Sequence, residues 1–191
     1  WRTGQMMVLI TGGSGSGKSA YAEQVAGELG KDGQKYYLAT MQVYDEEGQR
    51  RIERHRRMRS GKNFCTIEQS TAIEKALENL TGRAALESTV LLECVSNLVA
   101  NEMFAGEMPE PEEQVVRKVA QGVESLKKGI RHLVVVTNNV QEDGILYDTT
   151  TMEYLKAMGE INQRLAAMAD EVVEVVAGIP VIVSGQKKGE S

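Results

Sequence analysis

The stretch at residues 7–19, MVLITGGSGSGKS, constrains the fold of this chain more than any other stretch. It begins with an apolar run that is typical of a buried strand, and a glycine-rich turn follows. The turn fits the pattern G-x-x-x-x-G-K-[ST], with Gly12, Gly17, Lys18 and Ser19 at the defining positions. Because AYAEQVAGEL after the turn favours a helix, this strand–loop–helix context indicates a phosphate-binding loop rather than an ordinary Gly/Ser loop.

The loop predicts that the chain binds a nucleoside triphosphate. Its glycines let backbone N–H groups converge on phosphate oxygens without interference from a Cβ. We expect Lys18 to reach the β- and γ-phosphates, Ser19 to offer its hydroxyl to Mg²⁺, and the next helix to direct its positive end at the anion. The residues predicted to contact the nucleotide here are Gly12, Gly13, Ser14, Gly15, Ser16, Gly17, Lys18 and Ser19.

The composition fits a single globular domain over residues 1–191. Hydrophobic residues make up 41% of the chain and charged residues 26%, as in soluble globular proteins. The net charge of −5 argues against a general role in nucleic-acid binding, and no apolar stretch is long enough to span a bilayer. Cys65 and Cys94 lack the spacing of a zinc site and predict reduced thiols in a cytoplasmic protein.

Strands and helices are predicted to alternate along the chain. After the first strand, further strands are predicted at KYYLAT, NFCTIE, STVLLEC and HLVVVTN. Helices are predicted over 19–29, 45–59, 71–80, 95–104 and 112–128, and a long last helix is predicted to be capped by Thr150 or Thr151. The segment EVVEVVAGIPVIVSG predicts two strands around a Gly-Ile-Pro turn.

This alternation predicts an α/β fold with a mainly parallel sheet flanked by helices and a C-terminal β-hairpin. In such folds the ligand lies at the carboxyl ends of the strands, where the glycine-rich loop also lies. NVQEDGILYD is interpreted as a loop. We interpret residues 1–5 as an extension before a native start at Met6 or Met7, and residues 186–191 as a frayed polar tail.

The helix predicted over 45–59 carries a histidine among arginines. His55 is flanked by Arg54, Arg56, Arg57 and Arg59, and few large apolar residues accompany them, so most of this helix should face solvent or a ligand. Positive neighbours disfavour the protonated imidazole, and a neutral imidazole is what a nucleophile or general base requires. Guanidinium groups can hold a polyphosphate bidentately. On these residues alone, a solvated basic helix with an incidental histidine remains an alternative.

Other polar residues follow the predicted strands. Glu93 ends an apolar strand, where nucleotide hydrolases and kinases place the acid that holds Mg²⁺, and a carboxylate there is costly to bury without a partner. Glu68 follows another short strand and is equally well explained as a surface acid. Asn138 and Asn139 are in a place to line the site, although turn formation explains them as well. His132 is interpreted as structural or exposed.

Taken together, these stretches resemble one family, the bifunctional adenosylcobinamide kinase / adenosylcobinamide-phosphate guanylyltransferases of cobalamin biosynthesis. The similarity runs from about Met7 to Val183. The matching stretches, in order, are TGGSGSGKSAYAE, YLATMQ, RIERHR, FCTIE, LLEC, VVVTNNV and INQRLAAMADEV. Their order and spacing are more specific than the glycine-rich loop alone, and they favour the functional interpretation of His55.

The resemblance implies a P-loop, RecA-like α/β fold, assembled as a homotrimer with the active site between subunits. It implies that a nucleoside triphosphate phosphorylates adenosylcobinamide, and that GMP from GTP then passes through a histidine, here His55, to adenosylcobinamide phosphate. The nucleotide substrates implied are GTP and ATP, with Mg²⁺ held by Ser19 and Glu93. The residues that match the family's GTP contacts outside the loop are Ala39, Thr40, Met41, Arg56, Arg57, Met58, Arg59, Glu68 and Glu93.

The chain departs from the family pattern at a few positions. The family usually has Arg where this chain has Gly15, and it often has Asp where this chain has Glu93. After the strand HLVVVTN the family usually reads N-E-V-G, and here Asn139 and Gln141 replace the Glu and the Gly. Two alternatives therefore stay open: only one of the two half-reactions is retained, or the protein is a non-catalytic regulator that binds a nucleoside triphosphate.

Overall fold

The computed structural model describes residues 4–42, 46–80, 82–140 and 148–185. Most of the predicted loop NVQEDGILYD and the whole predicted tail lie outside the described residues. The described strands are β1 (Met6–Gly12), β2 (Lys35–Ala39), β3 (Phe64–Glu68), β4 (Thr89–Glu93), β5 (His132–Val136), β6 (Glu171–Val176) and β7 (Ile179–Ser184). The described α-helices are α1 (Lys18–Leu29), α2 (Glu46–Arg59), α3 (Val95–Met103), α4 (Glu112–Gly129) and α5 (Thr149–Met168).

One seven-stranded sheet runs through the described part of the chain, in the order β3-β2-β4-β5-β1-β6-β7. Every neighbouring pair is parallel except β6 and β7, which form an antiparallel hairpin. The predicted α/β fold with a mainly parallel sheet and a C-terminal hairpin is confirmed. The central strands β4 and β5 are apolar nearly throughout because both faces of a parallel sheet are covered.

Alternate side chains of β1 enter two separate cores, because successive residues of a strand face opposite sides of the sheet. Met7 and Leu9 pack with residues of α3, α4 and α5 on one face. Val8 and Ile10 pack on the other face with Ala22 and Ala26 of α1. The glycine-rich loop therefore leaves a strand that is fixed on both faces.

Helix α2 contributes little to either core. Among its described side chains, Arg59 alone is buried. The prediction that most of this helix faces solvent or a ligand agrees with this exposure. The helix begins with Glu46 and Glu47 and ends with arginines, an order that is favourable for the helix dipole.

The segment predicted as an α-helix over 71–80 is instead a 3₁₀-helix, Ile73–Asn79. It starts after Ala72, whose φ of 46° is left-handed and whose N–H donates to the buried carboxylate of Glu102 at 2.6 Å. This tertiary anchor fixes a tight start that helical periodicity does not reveal. A second 3₁₀-helix, Gly82–Glu87, was not predicted.

The predicted turn of the C-terminal hairpin is also wrong. The turn consists of Ala177 and Gly178, with φ values of 49° and 80°, and Ile179 and Pro180 already belong to β7. Two central residues with positive φ match the twist of a hairpin, so this two-residue turn prevails over the Gly-Ile-Pro turn. Pro180 is tolerated because β7 is an edge strand.

The predicted cap of α5 at Thr150 or Thr151 is wrong as well, because Asp148 caps this helix. Its Oδ1 accepts the backbone N–H of Thr151 at 2.9 Å, three residues into the helix. This hydrogen bond, followed by one from the Thr151 hydroxyl, lowers the pKa of Asp148. Across the described residues, no helix combines the length and the apolar character that crossing a membrane demands.

We expect Asp148→Ala to lower the melting temperature by about 2–4 °C, because an N-cap hydrogen bond is lost. Asp148→Asn should retain most of the stability, and Thr150→Ala should change little. Since the folded-state pKa of Asp148 is lowered, its stabilisation is present above the ordinary carboxyl pKa and is lost as pH falls through the lowered value. Thermal unfolding of the three variants at neutral and acidic pH measures this, and an equal loss in Thr150→Ala would contradict the assigned cap.

Candidate functional site

The glycine-rich loop leaves no room for a side chain at Gly12 and holds Gly17 in a left-handed conformation. A Cβ on Gly12 would lie 2.6 Å from Ser16 Oγ and 2.7 Å from the carbonyl oxygen of Val175. Gly17 has a φ of 92° and caps α1 without any side-chain hydrogen bond. The first N–H groups of α1 therefore lack a capping side chain, which is the arrangement that binds anions at a helix N-terminus.

The C-terminal hairpin supports this loop from one side. The N–H of Gly178, in the turn, donates to the carbonyl oxygen of Ser16 at 2.7 Å. The hydroxyl of Ser16 is buried and has no hydrogen-bond partner among the described residues. A buried hydroxyl without a partner is costly, and the hydrogen bond from Gly178 helps to hold the loop in this arrangement.

The residues predicted to hold Mg²⁺ lie in contact. The hydroxyl of Ser19, in the first turn of α1, donates to Glu93 Oε1 at 2.5 Å. Nearby, Lys18 Nζ donates to the carbonyl oxygen of Gly13 at 3.0 Å, which folds the lysine back over its own loop. No group of three or more His, Cys, Asp or Glu suited to a metal occurs in the described part of the chain. Two protein oxygens fit Mg²⁺, which takes few protein ligands and completes its shell with phosphates and water.

A second hydrogen bond reaches Glu93 from the neighbouring strand. The hydroxyl of Tyr37, in β2, donates to Glu93 Oε2 at 3.1 Å. Burial, and then the charge of Glu93, raise the pKa of Tyr37, so its hydroxyl stays protonated. The guanidinium of Arg59 lies 3.4 Å from the centre of the Tyr37 ring. A continuous set of contacts therefore runs from the end of α2 to the glycine-rich loop.

These residues line a cavity of about 480 Å³ at the carboxyl edge of the sheet. Its wall comes from the start of α1, the ends of β2, β3, β4 and β5, the start of α3 and one side of α2. The described residues that line it are Lys18, Ser19, Tyr37, Ala39, Met41, Gln42, Ile52, Arg56, Arg59, Thr66, Glu68, Gln69, Ser70, Glu93, Cys94, Ser96, Asn97, Val136 and Asn138.

The cavity brings many of the predicted site residues together. Those that line it are Lys18, Ser19, Ala39, Met41, Arg56, Arg59, Glu68 and Glu93. Arg56 and Glu68 form an ion pair at 2.8 Å across the gap between α2 and β3, and both are exposed. Arg57 is exposed and does not line the cavity. His55 and Met58 lie within α2.

Thr40 is fully buried rather than turned to the cavity. Its hydroxyl donates to the carbonyl oxygen of Cys94 at 2.8 Å and accepts the N–H of the same residue at 2.9 Å. The side chain therefore joins the ends of β2 and β4. A contact of Thr40 with nucleotide stays a prediction.

The two asparagines after β5 differ. Asn138 lines the cavity, and its amide donates to Ser96 Oγ at 2.8 Å. Asn139 is exposed, accepts a hydrogen bond from the Thr11 hydroxyl and donates to Glu174 Oε1 at 2.8 Å. Asn139, which replaces the acid of the family pattern, is thus held beside the carboxylate of Glu174.

Two residues that the sequence analysis missed shape this edge of the sheet. Tyr37 was hidden in the run KYYLAT, although a tyrosine in a buried strand needs a partner for its hydroxyl. Asn101, in α3, donates its amide to the carbonyl oxygens of Thr40 and Ser70 at 2.7 and 2.8 Å, and so connects the segments after β2 and β3. An amide side chain in a mainly apolar helix was the available signal.

His132 lies at the other end of its strand. It is buried, and desolvation, followed by the charge of Arg131, lowers its pKa. As the first residue of β5 it is at the amino edge of the sheet, opposite the cavity. This position agrees with the structural interpretation of His132.

The sequence is similar to a defined family and to named relatives. The family model of cobinamide kinase / cobinamide phosphate guanyltransferase (CobU) matches residues 8–183. The bifunctional adenosylcobalamin biosynthesis protein CobU of Escherichia coli strain K12 is 32% identical over 185 residues, covering 92% of this chain and 98% of the relative. The protein of the same name from Salmonella typhimurium strain LT2 is 34% identical with the same coverage. The bifunctional adenosylcobalamin biosynthesis protein CobP of Pseudomonas aeruginosa is 28% identical over 181 residues, covering 95% and 99%.

Among solved structures, that of an ATPase domain matches with a TM-score of 0.50 and 12% identity, covering 89% of this chain and 69% of that one. At this identity the match bears on the fold alone, and it agrees with the predicted P-loop, RecA-like architecture. Because the family model extends from β1 to β7 and the relatives align over nearly their whole lengths, this chain belongs to the cobinamide kinase / cobinamide phosphate guanyltransferase family.

Proposed function

We propose that this protein phosphorylates adenosylcobinamide with a nucleoside triphosphate and then transfers GMP from GTP, through guanylylated His55, to adenosylcobinamide phosphate. The product of the second step is adenosylcobinamide-GDP. One observation carries the proposal: a single cavity is lined by residues of the glycine-rich loop, by Glu93 and by α2, the helix that contains His55. The family and the names of the relatives agree with both activities.

In the first step, the hydroxyl of the substrate attacks the γ-phosphorus. The new O–P bond forms as the bond between the γ-phosphorus and its bridging oxygen breaks, the nucleoside diphosphate leaves, and the hydroxyl proton passes to water. The backbone N–H groups at the start of α1 and the ammonium of Lys18 are suited to neutralise the charge that this transfer redistributes. ATP and GTP both carry the triphosphate on which this step depends.

In the second step, the imidazole of His55 attacks the α-phosphorus of GTP. A P–N bond forms and pyrophosphate leaves, and a phosphate oxygen of adenosylcobinamide phosphate then displaces the histidine. His55 lies between Ile52 and Arg56 in α2, and both of these neighbours line the cavity. The guanidinium groups of Arg56 and Arg59 are suited to bind the departing pyrophosphate.

Mg²⁺ is part of this proposal, and Ser19 and Glu93 would hold it. When bound, the ion neutralises charge on the phosphate oxygens. The remaining predicted nucleotide contacts are Ala39, Thr40, Met41, Arg57, Met58 and Glu68. The proposal that they contact nucleotide is supported by their positions, which are at or beside the cavity or in α2.

We propose further that the protein acts as a homotrimer in the cytoplasm. The support in this chain is the edge strand β7, all of whose residues are exposed although most are apolar. Ile179 and Ile182 are 65% and 64% exposed. An exposed apolar edge strand is a surface that proteins cover, and a second copy of the chain supplies such a cover.

A guanylylation assay tests the role of His55. Incubation with GTP labelled at the α-phosphate should give a protein label that is acid-labile and alkali-stable, as expected of a phosphoramidate, after denaturing electrophoresis. His55→Ala should lose the label and still bind a fluorescent GTP analogue. Gln49→Ala, an exposed position of the same helix that does not line the cavity, is the matched control and should keep the label. Label persisting in His55→Ala would exclude this histidine as the nucleophile.

The kinase step should be separable from the guanylyl transfer. With ATP or GTP, His55→Ala should convert adenosylcobinamide to its phosphate and stop there, because the γ-phosphate transfer does not use the histidine. Chromatography of the corrinoid products measures this conversion. Wild-type protein that makes adenosylcobinamide-GDP from the phosphate but never makes the phosphate would instead show a single retained half-reaction.

Lys18→Ala should weaken nucleotide binding at least about tenfold, since a charge-assisted contact to phosphate is lost.

The assembly is tested by light scattering on a size-exclusion column. Wild-type protein should elute as a trimer, and Ile182→Lys should shift it toward monomer because a charge cannot be buried in an apolar contact. Leu86→Lys is the matched control, since Leu86 is 63% exposed but lies far from β7 in sequence, in the second 3₁₀-helix. Dissociation by Leu86→Lys but not by Ile182→Lys would remove β7 from the interface.

A further inference from the structure

We propose that Tyr37 is a positioning residue of the site, which holds Arg59 at the end of α2 with its ring and orients Glu93 with its hydroxyl. Arg59 and Glu93 would bind the nucleotide and Mg²⁺ of the proposed function, on which this inference rests. Tyr37 is the first residue of the matching stretch YLATMQ, but the predicted contacts do not include it. Its position in the middle of β2, below the strand end, explains why a search of the strand ends passes over it.

The strand register explains how Tyr37 reaches Glu93. In the parallel pair of β2 and β4, Tyr37 lies opposite Leu91, and Ala39 lies opposite Glu93. Glu93 is thus one diagonal step along the same face of the sheet, a distance that a long aromatic side chain spans. The resulting hydrogen bond, 3.1 Å long, occupies Oε2 of Glu93, while Ser19 occupies Oε1. With both oxygens bonded, the carboxylate is fixed in one orientation.

The ring of Tyr37 supports Arg59 at the end of α2. This arginine is 7% exposed, and a buried guanidinium is costly unless its charge is compensated. It stacks on the Tyr37 ring at 3.4 Å, and its Nη1 has no hydrogen-bond partner among the described residues. A cation–π contact compensates part of the charge and leaves that donor for an anion in the cavity that Arg59 lines.

Tyr37 therefore contacts two charged residues that lie on different elements. Its ring supports a cationic group on α2, and its hydroxyl supports an anionic group on β4. A phenylalanine at this position would keep the first support and lose the second, whereas a leucine would lose both.

This separation gives a direct test with a fluorescent GTP analogue, titrated in Mg²⁺ and in EDTA. Tyr37→Phe should bind as the wild type does in EDTA, but the gain in affinity from Mg²⁺ should fall roughly tenfold, as for a lost hydrogen bond to a charged group. Tyr37→Leu should also weaken binding in EDTA by roughly three- to tenfold, because Arg59 loses its aromatic support.

Two double-mutant cycles distinguish positioning from a simple core role. In an Arg59→Gln background, Tyr37→Leu should weaken EDTA binding no further than Tyr37→Phe does. In a Glu93→Gln background, Tyr37→Phe should leave the Mg²⁺ response unchanged. If the effects of the single variants add in both cycles, Tyr37 does not act through these residues and the proposal is overturned.

Tyr36→Phe is the matched control, because it removes the same hydroxyl from the adjacent residue, which packs against the core on the other face of the sheet. It should leave the Mg²⁺ response unchanged, and an equal loss in Tyr36→Phe would overturn the proposal. If Tyr37→Leu fails to fold, Tyr37→Phe decides the outcome alone, since it keeps the ring. Wild-type protein that binds no nucleotide would overturn the proposed function together with this inference, whereas normal wild-type binding with an unaltered Tyr37→Phe would overturn this inference only.

Discussion

The two hydrogen bonds received by the carboxylate of Glu93 join the parts of the candidate site. One comes from Ser19 at the start of α1, and the other comes from Tyr37 in β2. Without them the half-buried carboxylate would carry its charge uncompensated among apolar strands. The same hydrogen bonds fix the end of β4 relative to the glycine-rich loop. The need to compensate the charge of Glu93 therefore determines how these two parts of the cavity wall are arranged.

The general plan of the protein could be predicted from the sequence because it depends on patterns that are typical of one fold class. A strand with an uninterrupted apolar run, such as HLVVVTN, must be buried on both faces of the sheet. The alternation of such strands with helices predicts a parallel sheet. The position of the glycine-rich loop after β1 then places the ligand at the carboxyl edge. The cavity lies at this edge and is lined by Lys18, Ser19 and Glu93. What these residues bind stays a prediction.

The features that the sequence did not reveal depend on contacts between distant segments. The start of the first 3₁₀-helix is fixed by Glu102, thirty residues away, and propensity cannot express this contact. The cap of α5 was assigned to the wrong residue because Asp148 and the threonines after it are all good caps, and only the backbone path selects among them. Tyr37 was missed for a similar reason, since its two partners lie on α2 and β4.

The contact between the hairpin turn and the glycine-rich loop has a consequence for the order in which the molecule is completed. Ser16 is made well before Gly178, the residue whose N–H donates to its carbonyl oxygen. The atom that closes one side of Gly12 likewise belongs to the backbone of Val175. A growing chain therefore has the whole sequence of the loop long before it has the loop's support. The loop therefore takes its final shape only after β6 and the hairpin turn have been made.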